Sequence, residues 1–134
     1  MSKLLTALLA SGGIAFASIA GAQMTKQAHG AEADKVDAMY KVDKERCDAL
    51  SGNKKDICVA EVKMKRDVAK ADLNANYKNT ANARRDAVMK KADAEYGVAK
   101  EKCDDLAGNA KDVCVKEAKL MREKSKTAAK SMKT

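Results

Sequence analysis

The feature that most constrains this chain is an internal duplication. The segment 40–66 recurs as 96–122, and 19 of the 34 positions aligned between 37–70 and 93–126 are identical. Equivalent positions of the two copies, such as 40 and 96, differ by a constant residue number, which we call the repeat offset. Each copy places one cysteine on either side of a Gly-Asn pair. The duplication therefore predicts two equivalent structural units.

Each unit is predicted to be a helical hairpin. In the first copy Val36, Tyr40, Cys47 and Leu50 recur at helical spacing between charged residues, which predicts a helix over 32–50. The segment contains no breaker after Gly30 and before the Gly-Asn pair. A turn as short as this pair sends the next helix back antiparallel to the first.

The Gly-Asn pair has a predicted role at each helix boundary. Gly52 supplies the left-handed residue that commonly ends a helix. Asn53 is a favoured N-cap, and Asp56 resembles the acid of a capping box, so the second helix is predicted to start at Lys54. The turn residues predicted in the two units are Gly52, Asn53, Gly108 and Asn109.

The N-terminal segment 1–22 predicts a secretory signal peptide. A short basic start is followed by the uncharged run 4–22, which closes on small residues at Ala20 and Ala22. Cleavage is expected before Gln23, and an uncleaved membrane anchor is the alternative. We therefore expect a periplasmic or secreted protein that is not an integral membrane protein after cleavage.

The cysteines of a secreted chain meet oxidising conditions, so disulfides are expected. Four cysteines allow three pairings. In each copy they lie symmetrically before the glycine and after the asparagine, so they face each other across the hairpin. The expected pairs are Cys47–Cys58 and Cys103–Cys114. The same symmetry places Tyr40 beside Met64 and Lys65, and Tyr96 beside Leu120 and Met121.

Composition predicts an all-α fold. The chain has no Pro, is rich in Ala, Lys, Asp and Glu, and has few β-branched or aromatic residues. The stretch 73–85 contains several asparagines, which are weak helix formers, but no Gly or Pro. The favoured arrangement is one long central helix over 54–107 shared by both disulfide-stapled hairpins. The alternative is a compact four-helix bundle in which the asparagines break that helix.

The predicted organisation follows from these elements. It comprises a signal peptide (1–22), a flexible leader (23–31) with the sole histidine, His29, and the first hairpin repeat (32–73). An Asn-rich helical connector (74–91) then leads to the second hairpin repeat with a basic tail (92–134).

The C-terminal helix carries a strong excess of positive charge. From residue 116 onward it has seven basic and two acidic residues, in a chain of net charge +8. Such a helix favours anionic surfaces, including lipid phosphate, lipopolysaccharide and nucleic acid. The candidate anion-binding residues are Lys116, Lys119, Arg122, Lys124, Lys126, Lys130 and Lys133.

The repeated motif resembles one found in small secreted proteobacterial proteins often named TolA-like. The resemblance rests on Cys-Asp-Ala-Leu-Ser-Gly-Asn-Lys-Lys-Asp-Ile-Cys at 47–58 and its copy at 103–114. It implies a periplasmic helical protein with a role in the integrity of the cell envelope.

The sequence predicts a non-enzymatic scaffold or interaction protein of the envelope, without a cofactor or small-molecule substrate. There is one histidine, with no nucleophile–base arrangement and no phosphate-binding loop. The binder of anionic surfaces is the alternative. A thiol-redox or metal-binding protein is a remote alternative, because Cys-x₁₀-Cys matches neither a redox centre nor a zinc site and the methionines are scattered.

Overall fold

The computed structural model describes residues 23–132, and these form four helices. They are α1 (Lys26–Cys47), α2 (Gly52–Lys78), α3 (Ala81–Cys103) and α4 (Gly108–Lys130). The all-α fold built from two disulfide-stapled hairpins is thus confirmed. The segment 1–22, on which the signal-peptide prediction rests, lies outside the described residues.

The helices form one antiparallel layer in chain order. Among residues 23–132 the helix pairs in contact are α1 with α2, α2 with α3, and α3 with α4. The two hairpins therefore lie side by side, joined through α2 and α3. The helices α1 and α4 are the edges of the layer.

The long central helix predicted over 54–107 is wrong, because the chain reverses at Asn79 and Thr80. Asn79 adopts the left-handed conformation, with φ of 48°, and its amide donates to the carbonyl of Ala75 at the end of α2. Thr80 then caps α3, its hydroxyl accepting from the amide of Ala83 at 3.1 Å. Asparagine tolerates this conformation better than other residues with a Cβ, and threonine is a good N-cap. Together they turn the chain within a single short connection.

Replacement of Asn79 tests this turn. Asn79→Ala is expected to lower the free energy of unfolding by about 1–2 kcal/mol, because alanine in a left-handed conformation is strained. Asn79→Gly is the matched control and is expected to retain stability, because glycine adopts this conformation without strain. Denaturant unfolding of both variants measures the difference. Equal destabilisation by Ala and Gly would contradict a left-handed turn at this position.

The hairpin connections differ slightly from their predicted form. The helix predicted over 32–50 ends at Cys47, and α2 already includes Gly52. Gly52 and its repeat equivalent Gly108 do have positive φ, at 57° and 55°. Asn53 is not the N-cap, because Ser51 occupies that position and Asn53 instead binds across to α3.

The helix α1 starts within the predicted flexible leader. Thr25 is its N-cap, and the hydroxyl accepts from the amide of Ala28 at 3.1 Å. This cap extends the helix across 26–31, including Gly30, so most of the predicted leader is helical. The start predicted at residue 32 follows the apolar periodicity of the helix, and a solvent-exposed first turn need not show that periodicity.

The core is small and consists mainly of alanine. The buried apolar residues are Cys47, Val62, Ala71, Ala75, Ala83, Ala87, Ala92, Val98, Cys103 and Ala129. One cluster of four alanines joins α2 to α3 near the Asn79 turn. Small side chains let helices approach closely but bury little apolar area, so these interfaces contribute modest hydrophobic stabilisation.

Within residues 23–132, none of the four helices combines the length and the apolar character that a membrane span requires.

Candidate functional site

The disulfides hold the two hairpins at equivalent places. Cys47 is bonded to Cys58 and Cys103 to Cys114, with Cα–Cα distances of 5.6 and 5.7 Å. Both first cysteines are fully buried. The predicted pairing is confirmed, and each disulfide joins the end of one helix to the second turn of the next.

An ion pair spans each hairpin turn beside its disulfide. Lys55 binds Asp48 at 2.9 Å, and Lys111 binds Asp104 at 2.8 Å. The hydrogen bond from the lysine lowers the pKa of each aspartate below its usual 3.8. The same contact with Asp104 raises the pKa of Lys111 above its usual 10.5. All four groups are solvent-accessible, so these shifts reflect turn-closing ion pairs, not desolvated reactive groups.

An arginine–tyrosine stack lies further along each hairpin. The guanidinium of Arg66 is 4.3 Å from the ring centroid of Tyr40, and that of Arg122 is 4.4 Å from the ring of Tyr96. Met121, which the hairpin symmetry places beside Tyr96, is largely exposed. A cation over an aromatic face is favourable, and the arginine stem also covers apolar surface.

A lysine–aspartate pair completes the contacts shared by the hairpins. Lys70 binds Asp37 at 2.7 Å, and Lys126 binds Asp93 at the same distance. Like the disulfides, turn ion pairs and stacks, these two pairs are related by the repeat offset. The duplicated residues thus hold together two copies of the same hairpin.

The junction between the hairpins uses a different set of residues. The side-chain amide of Asn53 donates to the carbonyl of Glu101 at 3.1 Å and to the carboxylate of Asp105 at 2.6 Å. Lys102 binds Glu61 at 2.8 Å. These contacts lie at the end of the α2–α3 pair opposite the alanine cluster, so the two helices are joined at both ends.

A groove of about 840 Å³ runs between α2 and α3. Its walls combine apolar residues, among them Val59, Met64 and Val98, with charges of both signs. Gly97 lies in the wall of the groove, and the groove is open at this point, because a Cβ there would meet no neighbouring atom within 4 Å. A mixed, open groove of this kind suits a polypeptide segment better than a small apolar ligand.

The candidate anion-binding residues divide into two groups. Arg122 and Lys126 point toward α3, where they bind Asp93 and, for Arg122, stack on Tyr96. Their charges are therefore partly used within the hairpin. The second group consists of the candidate lysines that are exposed along α4, namely Lys116, Lys119, Lys124 and Lys130. Lys133 lies outside the described residues.

Two residues without a predicted site role make contacts between distant parts of the chain. His29 lies 3.2 Å from the side-chain oxygen of Asn74 and stacks on Tyr77 with a centroid distance of 4.6 Å. Arg85 donates to the carbonyl of Met132 at 2.9 Å and so joins the start of α3 to the end of α4. Neither contact had a local sequence signal, because its partners are far apart along the chain.

The cysteines and acids do not form a metal centre in the described part of the chain. Across residues 23–132 no group of three His, Cys, Asp or Glu side chains is placed to hold a metal ion. All four cysteines of the chain are in disulfides.

Comparison of the chain with protein-family models, with curated proteins and with solved structures finds no match.

Proposed function

We propose that this protein is a non-enzymatic scaffold or interaction protein of the cell envelope, acting in the periplasm or outside the cell. The observation that carries the proposal is the recurrence of the same contacts in both hairpins. A disulfide, a turn ion pair, an arginine–tyrosine stack and a lysine–aspartate pair occur twice at the same offset. The duplicated residues thus maintain a rigid unit, which leaves its outward faces for recognition.

Two further observations support this proposal. Each shifted pKa is caused mainly by an ion pair within a hairpin, as expected of a structural role. Disulfides also suit an oxidising compartment, which agrees with the predicted signal peptide and with the envelope role implied by the TolA-like resemblance.

Capture of an envelope partner tests the proposal. The disulfide-bonded protein is expected to retain a specific envelope protein from solubilised membranes and periplasm. A variant with all four cysteines replaced by alanine, used at the same concentration, is expected to lose it because the hairpin faces are no longer fixed. Equal recovery by both forms, or the absence of any specifically retained protein, would count against a scaffold made of stapled hairpins.

Binding to anionic surfaces is the second candidate function. The observation that favours it is the row of exposed lysines on α4, comprising Lys116, Lys119, Lys124 and Lys130. No ion pair joins the first three to another residue within 23–132. Such a row attracts phosphate groups over distances of about one Debye length.

Vesicle binding separates this candidate from the first. Replacing the four exposed α4 lysines with glutamine is expected to weaken binding to phosphatidylglycerol vesicles by about tenfold or more, because each basic residue near an anionic surface contributes about 1 kcal/mol. The matched control changes four exposed lysines elsewhere, namely Lys41, Lys44, Lys65 and Lys90. Equal loss in both variants, or no binding by the unaltered protein, would exclude a dedicated α4 surface.

A further inference from the structure

The duplication makes the two edge helices counterparts of the two inner ones. At the repeat offset, α4 corresponds to α2 and α1 corresponds to α3. Within the chain α2 packs against α3. The corresponding faces of α4 and α1 have no helix packed against them among residues 23–132. The layer therefore ends on one side with an α2-like face and on the other with an α3-like face.

The polar residues that join α2 to α3 have counterparts on the two edges. Asn53 and Glu61 of α2 correspond to Asn109 and Glu117 of α4. Their partners on α3 have equally suitable equivalents on α1, where Glu101 corresponds to Glu45 and Lys102 to Arg46. The residue types needed for one amide–carbonyl hydrogen bond and one ion pair are thus present on the outer faces, where all four edge residues are exposed.

The apolar residues of the α2–α3 interface are less exposed than their equivalents on the edge helices α1 and α4. Val98 of α3 is 7% exposed, whereas its equivalent Val42 of α1 is 51% exposed. Met64 of α2 is half-buried, whereas its equivalent Leu120 of α4 is 68% exposed. An aliphatic side chain is therefore available on each edge at a position that the inner interface covers.

We propose that this protein associates head to tail with a second copy of itself, α4 of one copy packing on α1 of the next. The contact would repeat the α2–α3 junction, with Asn109 donating to the carbonyl of Glu45 and Glu117 pairing with Arg46. Such an interface joins two different faces, so it extends into a filament or closes into a ring according to the rotation between copies. The interface rests on the fold and on the repeat, and it is independent of which envelope partner the protein binds.

Several substitutions make this contact weaker than the internal one. The inner junction between α2 and α3 includes the alanine cluster and Asp105, and several of these residues are replaced by other residue types at the equivalent positions of α1 and α4. The edge residues that differ from their inner counterparts there are Gln27, Ala49, Thr127 and Ser131. No turn joins the two copies, so association also loses translational and rotational freedom. We expect a dissociation constant on the order of 10–100 µM, because the interface is partly polar and the two copies are not joined by a turn.

Charge reversal at the proposed ion pair tests the association. The disulfide-bonded protein is purified in the form that the expressing cell produces. It is then studied by sedimentation velocity over a range of concentrations at physiological ionic strength. The mass of the unaltered protein is expected to rise with concentration. Arg46→Glu and Glu117→Arg are each expected to weaken association by about tenfold or more, since each places like charges opposite one another. Lys44→Glu on the same helix is the control, with the same change of charge, and is expected to leave association within about twofold of the unaltered protein.

Mixing the two reversed variants identifies the head-to-tail geometry. In an equimolar mixture each native face meets a native face, and each reversed face meets a reversed one, so association is expected to return. Both side chains are exposed in the single chain, and unchanged circular dichroism checks that each variant is folded. A monomeric unaltered protein throughout the concentration range would overturn the proposal. The proposal would also be overturned if Arg46→Glu and Glu117→Arg weakened association no more than Lys44→Glu does. It would likewise be overturned if association did not return in the mixture of the two reversed variants.

Discussion

Replacing all four cysteines with alanine is expected to lower the free energy of unfolding by about 4–6 kcal/mol. The loss is comparable with the whole stability of a marginal domain, which is about 5–15 kcal/mol. The physical reason is that each disulfide closes a short loop and so restricts the unfolded chain. The alanine-rich core, with its largest fully buried side chains at Cys47 and Cys103, has little apolar burial with which to offset the loss.

The two disulfides are expected to contribute nearly equally. Their Cα–Cα distances, sequence separations and neighbouring ion pairs are almost the same in the two hairpins. Each paired replacement, Cys47→Ala with Cys58→Ala or Cys103→Ala with Cys114→Ala, is expected to lower the free energy of unfolding by about 2–3 kcal/mol. Guanidinium unfolding measures both. A change below about 0.5 kcal/mol for either pair, the range of ordinary surface substitutions, would contradict a stabilising role.

Ala87→Leu is expected to destabilise the protein by about 1–3 kcal/mol, because a larger side chain cannot enter the close contact between α2 and α3 without moving a helix. Ala87 is 6% exposed and belongs to the four-alanine cluster at the Asn79 turn. Leucine and alanine have similar helix propensities, so the expected effect comes from packing between the hairpins.

The chain provides its own control for this substitution. Ala31, the equivalent of Ala87 in α1, is exposed on the edge of the layer. Ala31→Leu is expected to change the free energy of unfolding by less than about 0.5 kcal/mol. Both variants are compared by denaturant unfolding at low protein concentration, so that contacts between copies do not contribute. Equal effects at the two positions would mean that α2 and α3 are not closely packed.

The hairpins could be predicted because their signals are local and duplicated. Cys47 and Cys58 lie symmetrically about Gly52 and Asn53, and the same pattern recurs in the second copy. Few arrangements other than an antiparallel hairpin bring such cysteines together. The pairing, the all-α class and the positive φ of the glycine followed from that pattern and are confirmed.

The reversal between the hairpins was harder to predict. Several asparagines in 73–85 are weak helix formers, and the sequence does not distinguish Asn79 from the others by propensity alone. The alanine cluster that stabilises a turn there is a tertiary feature, since Ala71 and Ala75 contact their partners only after the chain has reversed. Local propensity therefore allowed two arrangements, and packing between distant residues decided between them.

The interhelical polar contacts also escaped sequence reasoning. Asn53 has the features of an N-cap, yet its side-chain amide binds α3. Arg66 has the features of a solvated helix residue, yet it covers the ring of Tyr40. In both cases the partner is many residues away, so only the three-dimensional arrangement reveals the contact. The repetition of Arg66 as Arg122, and of Tyr40 as Tyr96, was the one available signal.

The central claim is that two stapled hairpins lie side by side, with both hairpin turns at the same end of the layer. The distance between positions 51 and 107, one in each turn, tests this most directly. A donor and an acceptor dye can be attached there through non-cysteine chemistry, at protein concentrations low enough to avoid transfer between copies. We expect a separation of roughly 10–20 Å, since adjacent helix axes lie about 8–10 Å apart. A separation of roughly 80 Å, the length of one continuous helix between the two turns, would contradict the side-by-side arrangement.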